Sequence, residues 1–403
     1  MEGKFVVRLG ATWGLAIAIW GAGCLAQSAL PAGNEREQAY ALEQQGKLPE
    51  AEAMWRAALK TYPNDAEAYA HLGFLEARQE RYQEAILHYR KALALNPSMP
   101  GLRLNLGLSL FKSGDLKEAV ATFTPLLKTE PAGSPQALRL ATLIGMAEYG
   151  LGNYGESISY LRTATAADAQ NLPLRLLLAQ SCLWSKHYQC VLDVYHEILT
   201  LNADSAEADM LAGEAYDEMK DRADAVLQFR AAVKSDPRLP NVHFGLGYLL
   251  WNLMQYEDAA REFQAELANN PDHAQAMTYL ADTNMKLNHP ELATPLLEKA
   301  IRLDPRLELA HLDLGILLAD AGRKEEALKE FKAAAALSPD DVNVHWRLAR
   351  FYQSVGEKEL AKAEFEKTRG LQKAADATIF SKLKAAQEKG KPAETDPDAP
   401  LGK

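Results

Sequence analysis

Apolar side chains along this chain recur three or four residues apart, the spacing of amphipathic helices. Ala85, Ile86, Tyr89, Ala92 and Leu93 form one such stripe, and Leu72 and Leu75 mark a helix just before it. Between predicted helices stand Gly114, Gly152, Gly322 and Gly356, where glycine permits the left-handed residue that ends a helix. Prolines follow the second helix of most pairs, where a missing N–H breaks no hydrogen bond. No strand is predicted, so the expected fold is all-α.

The helices come in pairs with a fixed period. Pro63, Pro97 and Pro131 are 34 residues apart, and Pro237, Pro271, Pro305 and Pro339 resume the same step. Between the series Ala169 and Ala203 hold the later phase, which is offset by four residues. A period of this size predicts a stacked array rather than one globular core. Numbering each repeat from 1 to 34, position 8 is Gly73, Gly107, Gly145, Ala179, Gly213, Gly247, Ala281, Gly315 and Ala349. Position 24 is Tyr89, Phe123, Leu161, Tyr195, Phe229, Phe263, Leu297, Phe331 and Phe365. Small residues facing large ones let two antiparallel helices interdigitate at close-packed density.

The Gly, Ala, aromatic and Pro phases together resemble the tetratricopeptide repeat family. The resemblance covers 32–375 in ten repeats, starting at 32, 66, 100, 138, 172, 206, 240, 274, 308 and 342. It implies a right-handed superhelical solenoid of antiparallel helix hairpins with a concave groove. The first repeat matches least, because Glu35 and Gln38 stand where apolar residues belong. Ile379, Phe380 and Leu383 give an apolar face to a separate capping helix over 376–389, and 390–403 is expected to be disordered. A longer first helix is expected in the fourth repeat, capped by Ser134 with Pro135 at its first position. Ser157 and Val191, in place of a small alanine, predict a weak seam through the fourth and fifth repeats.

The N-terminus reads as a targeting segment. Lys4 and Arg8 precede an uncharged, largely apolar run, and small residues follow up to Ala26. Cleavage of 1–26 would export the chain to a periplasm or beyond. The alternative is an uncleaved anchor, since residues 5–30 include an apolar stretch long enough to span an inner membrane. The formal net charge is −10, and no basic stripe runs along the repeats, which argues against nucleic acid as a partner.

Little in the chain suggests catalysis. His243, His311 and His345 all occupy position 4, one per repeat, and read as packing residues rather than metal ligands. Cys182, His187, Cys190 and His196 lack zinc-site spacing, and for the two cysteines both a disulfide and a pair of free thiols stay open. No catalytic, cofactor or metal residue is assigned, and the chain is read as non-enzymatic. The resemblance places function on the groove, lined by positions 2, 5, 9, 12 and 13 of each first helix. There the candidate partner-binding residues are Phe74, Phe111, Met146, Tyr149, Phe244, Tyr248, Trp251 and Trp346. Phe244, Tyr248 and Trp251 share one helix face, flanked in sequence by Glu214, Asp217, Glu218 and Asp282. The expected function is a scaffold in the cell envelope that holds an extended protein segment or a partner helix. The alternative is an envelope glycan-binding or glycan-processing accessory protein, with aromatic rings stacking sugars beside carboxylates.

Overall fold

The computed structural model describes residues 34–389, with side chains over 35–378. The signal or anchor segment 1–26, the apolar stretch up to residue 30 and the tail 390–403 lie outside the described residues. Within them there are twenty α-helices and no strand. Consecutive helices pair as hairpins, from α1 (Asn34–Gln44) with α2 (Leu48–Thr61) to α19 (Val342–Ser354) with α20 (Lys358–Lys389). This is a helical repeat array. It falls into two compact bodies, one ending at Asp236 and the other beginning at Pro237.

The interdigitation of positions 8 and 24 organises both bodies. A Cβ added to Gly73, Gly213 or Gly247 would sit 2.6–2.8 Å from the ring of Tyr89, Phe229 or Phe263. These glycines are therefore sockets for aromatic rings. The first repeat uses the same device despite its polar sequence: Ala39 and Trp55, at positions 8 and 24, are both 0% exposed. Of its two departures from the pattern, Glu35 is half-buried and Gln38 exposed.

The turn between paired helices is left-handed at position 15 in every repeat. Gly46, Gly114, Gly152, Gly322 and Gly356 have φ of 73 to 88° there. Glu80, Lys186, Lys220, Met254 and Asn288 hold φ of 59 to 68° at the same position without being glycine. Tertiary packing of the two flanking helices thus imposes a conformation that an L side chain disfavours.

One local expectation is corrected. No separate capping helix exists over 376–389, because α20 runs unbroken from Lys358 to Lys389. Gly370 does not stop it, and the segment around it carries no proline and many good helix formers. At the fourth and fifth repeats, where the weak seam is expected, the substituted positions are packed in the core. Ser157 is fully buried, donates to the Gly145 carbonyl at 2.9 Å and lies 3.2 Å from the Ser181 hydroxyl. Val191 is itself 0% exposed in the core, and Cys182 and Cys190 form a disulfide across α9 (Leu172–Trp184) and α10 (Tyr188–Leu199). In the same region α7 (Pro135–Gly150) is 16 residues long, and Ser134 Oγ accepts from the Ala137 amide.

Candidate functional site

The aromatic group on α13 (Val242–Asn252) is built by two hairpins of the C-terminal body. The buried carboxylate of Glu266, on α14 (Tyr256–Asn269), accepts from the backbone amides of Asn241 and Phe244, each at 3.2 Å. A carboxylate at a helix N-terminus satisfies orphan donors and opposes the helix dipole. His273 Nδ1 accepts from the Ala276 amide at the start of α15 (Ala274–Lys286), and its Nε2 meets Asn241 Oδ1 at 2.8 Å. Burial lowers the pKa of His273, which keeps this imidazole neutral and able to accept. Together these bonds fix α13 against α15.

On that frame the three expected aromatic residues separate. Phe244 is 4% exposed and packs against Phe263, His273 and Tyr279 with centroids 4.8–5.9 Å away. It belongs to the core, which corrects its assignment as a partner contact: position 5 here points at the socket ring of its own hairpin. Tyr248 and Trp251 remain half-buried and stack with an interplanar angle of 17°. Tyr279 of α15 meets both edge-on, at 5.3 and 5.2 Å. Sequence reasoning missed Tyr279, which lies at position 6 and becomes a neighbour only through stacking of successive hairpins.

Carboxylates surround this aromatic group. Asp282 Oδ2 accepts from Trp251 Nε1 at 2.5 Å, and its Oδ1 lies 3.2 Å from Lys286 Nζ. The same ammonium sits 5.9 Å from the ring centroids of both Trp251 and Tyr256. Asp313 is buried with its Oδ2 unpartnered, and desolvation reinforced by Asp282 raises its pKa well above the carboxylate range. Burial, then the charge of Asp341, lifts Glu308 to about 7. Burial also raises Tyr279, so its hydroxyl stays protonated.

The remaining candidates are scattered. In the N-terminal body Phe74, Phe111, Met146 and Tyr149 are all half-buried. Arg78 lies 5.8 Å over the Phe74 ring. Phe111 packs on one apolar cluster, while Met146 and Tyr149 pack on another. Tyr149 donates to Gln180 Oε1 at 2.5 Å. Trp346, in the C-terminal body, is the most open at 42% exposure, with Arg347 and Arg350 over its ring at 5.3 and 5.8 Å.

The histidines at position 4 each contact a glutamate at position 23. His243, His311 and His345 place Nδ1 2.6, 2.6 and 2.7 Å from Glu262, Glu330 and Glu364. His311 and His345 also reach the carbonyls of Pro305 and Pro339 at 3.1 and 2.9 Å. They tie the two helices of a hairpin to the preceding turn. Among the described residues no group of three or more His, Cys, Asp or Glu is placed to hold a metal. Nor is any described helix long and apolar enough to cross a membrane.

Paired helices with small-residue sockets at position 8 define a helical-hairpin repeat array. Comparison with known proteins agrees. Tetratricopeptide repeat profiles match residues 36–100, 76–144, 138–171 and, in overlapping windows, 210–377. The chain belongs to the tetratricopeptide repeat family, whose members are generally non-catalytic scaffolds for protein interactions. It is similar to the protein CTR9 homolog of Arabidopsis thaliana, 24% identical over 308 residues, covering 72% of this chain and 27% of that protein. It is also similar to anaphase-promoting complex subunit 3 of Schizosaccharomyces pombe, 21% identical over 289 residues, covering 71% of this chain and 43% of that one. The chain thus spans less than half the length of either relative. A shorter stretch of 88 residues is 40% identical to the peroxisomal targeting signal receptor of Kluyveromyces lactis, covering 22% of this chain and 15% of the receptor. Among solved structures, YrrB, a TPR protein with an unusual peptide-binding site, aligns with a TM-score of 0.38 at 20% identity, over 47% of this chain and 97% of its own.

Proposed function

We propose that this chain is a non-enzymatic scaffold that holds an extended peptide or a partner helix along its first-in-pair helices. The observation that carries the reading is the half-buried Tyr248–Trp251 stack beside Tyr279. Planar rings held rigid by neighbours provide contact area at small entropic cost. The peptide reading is favoured over glycan binding by what surrounds the rings. Asp282, which accepts from Trp251 Nε1 and pairs with Lys286, is held against the protein by both oxygens and is not free to turn toward a sugar hydroxyl. Export to the cell envelope is part of the same proposal. It is supported by Lys4 and Arg8 ahead of an uncharged apolar run, and by a disulfide, which persists in oxidising compartments.

The test compares Trp251→Ala with Phe263→Ala. A partner isolated from envelope extracts on the wild-type protein is titrated against both purified variants. Trp251→Ala is expected to weaken binding by about 2 kcal/mol while the protein stays folded. Phe263→Ala, at a fully buried socket ring, is expected to lower stability by roughly 3–5 kcal/mol. Equal loss of stability in the two variants would make Trp251 a core residue and remove the proposed contact.

A further inference from the structure

His273 caps α15 with an imidazole. Asp65, Asn171, Ser205 and Asp341, each directly before position 1 of another repeat as His273 is, cap their helices with a side-chain oxygen. The amide oxygen of Asn171 and the hydroxyl of Ser205 accept at any pH, whereas an imidazole accepts only while one ring nitrogen is bare. One form of His273 serves both of its bonds: the neutral tautomer in which Nδ1 takes the Ala276 amide and Nε2–H donates to Asn241 Oδ1. A second proton, on Nδ1, would set one N–H against another and place a positive charge at the positive end of the helix dipole. The same ring joins the two helices of the aromatic group. Asn241 is the N-cap of α13, which bears Tyr248 and Trp251, and α15 bears Tyr279 and Asp282.

We propose that His273 is an acid-operated latch, which joins α13 to α15 while neutral and parts them when Nδ1 takes a proton, loosening the Tyr248–Trp251–Tyr279 group. The groups around the ring favour two states. From α13 it meets Asn241 and the Phe244 ring, with His243 two residues further on and held by Glu262. In its own turn Asp272 is paired with Lys299 of α16 (Pro290–Leu303) at 2.9 Å. From α14 comes Glu266, whose negative charge opposes the effect of burial on His273. Glu266 is the counter-ion for a charged imidazole, yet its two oxygens already accept from the Asn241 and Phe244 amides. A protonated His273 that turns to Glu266 therefore gives up the cap of α15 and competes for the cap of α13. Burial holds the folded-state pKa of His273 below its ordinary 6.5, so the stabilisation from the neutral ring is complete above pH 6.5 and is lost as pH falls. The release of a partner in acid rests on the reading of the aromatic group as a partner contact; the latch itself does not.

Hydrogen exchange and NMR of the full chain, with no partner present, test the latch between pH 7.5 and 5.0. The readouts are protection of the Ala276 amide relative to its intrinsic exchange rate and the Trp251 indole N–H resonance, assigned with Trp251→Phe. In the wild-type protein Ala276 protection is expected to fall about tenfold, the loss of one helix cap. The Trp251 signal should shift with the same midpoint as the His273 ring protons, below pH 6.5. His273→Asn keeps an oxygen at the cap, as Asn171 does for α9, and is expected to abolish both changes. His273→Ser, which follows Ser205, takes its place if the Asn variant does not fold. His243→Gln should leave both changes intact. No change in either signal down to pH 5.0 overturns the proposal, and so does a His273 ring that titrates while Ala276 and Trp251 stay as they were. An undiminished response in His273→Asn or His273→Ser also overturns it, as does loss of the response in His243→Gln, which would move the switch to that histidine. If Trp251→Ala leaves partner binding unchanged, the partner contact is lost while the latch still stands or falls on these signals.

Discussion

Gly107 offers the most direct test of how this array is held together. It lies on α5 (Leu102–Ser113) opposite Phe123 of α6 (Leu116–Thr129). A Cβ built at Gly107 stands 2.4 Å from Phe123 Cε1, 2.8 Å from Cδ1 and 3.0 Å from Cζ. Ordinary carbon contacts are about 3.5–4.0 Å, so the ring or the helix must withdraw by roughly 1 Å. Phe123 is 0% exposed and sits in a cluster with Leu106, Leu110, Leu140 and Ile144, so it has nowhere to withdraw without disturbing two hairpins. Overpacking of this kind costs about 1–3 kcal/mol. Replacing a helical glycine by alanine returns about 0.8–1 kcal/mol of propensity. Three ring atoms of Phe123 are met at once, which places the cost in the upper part of that range, so the expected net effect of Gly107→Ala is a loss of about 1–2 kcal/mol. Gly370→Ala is the control: no heavy atom lies within 4 Å of its Cβ position, so it should gain about 1 kcal/mol from propensity alone. Phe123→Leu should partly rescue Gly107→Ala, because the chain already pairs Ala281 with Leu297 at these two positions, both 0% exposed. Native-state hydrogen exchange is the suitable assay, since repeats lose protection locally and a global midpoint averages over them. Unchanged or slower exchange in α5 and α6 of Gly107→Ala would refute the reasoning, and so would strict additivity with Phe123→Leu.

Two further outcomes are expected. The folded-state pKa of Glu308 is raised from 4.5 to about 7, so the folded protein retains a proton that the unfolded chain has lost. Its contribution is therefore full below pH 4.5 and declines as pH rises to about 7, and Glu308→Gln should remove that part of the decline in urea titrations at stepped pH. Reduction of the Cys182–Cys190 disulfide should destabilise the fifth repeat by about 2–3 kcal/mol. Faster exchange in α9 and α10 after reduction checks this, with intact protection counting against it.

The sequence alone determined the repeat. A 34-residue phase of small and large residues reports helix-on-helix packing, which depends on side-chain volume at fixed spacing and is therefore written in one dimension. The same holds for the longer α7 and its Ser134 cap, because capping is local chemistry. Which side chains stay accessible was decided in three dimensions. Phe244 and Tyr248 share one helix face, yet the first is buried by Phe263, His273 and Tyr279 while the second is half-open. Nothing in their spacing distinguishes them, since burial depends on the next hairpin. The His–Glu contacts, the buried helix-capping Glu266 and the disulfide also required tertiary structure, because each joins residues from separate helices. The left-handed turn shows both sources at one position. Glycine announces it in five repeats, whereas in five others a residue with a Cβ is held there by the hairpin itself, so the packing overrules a local preference the sequence never signals.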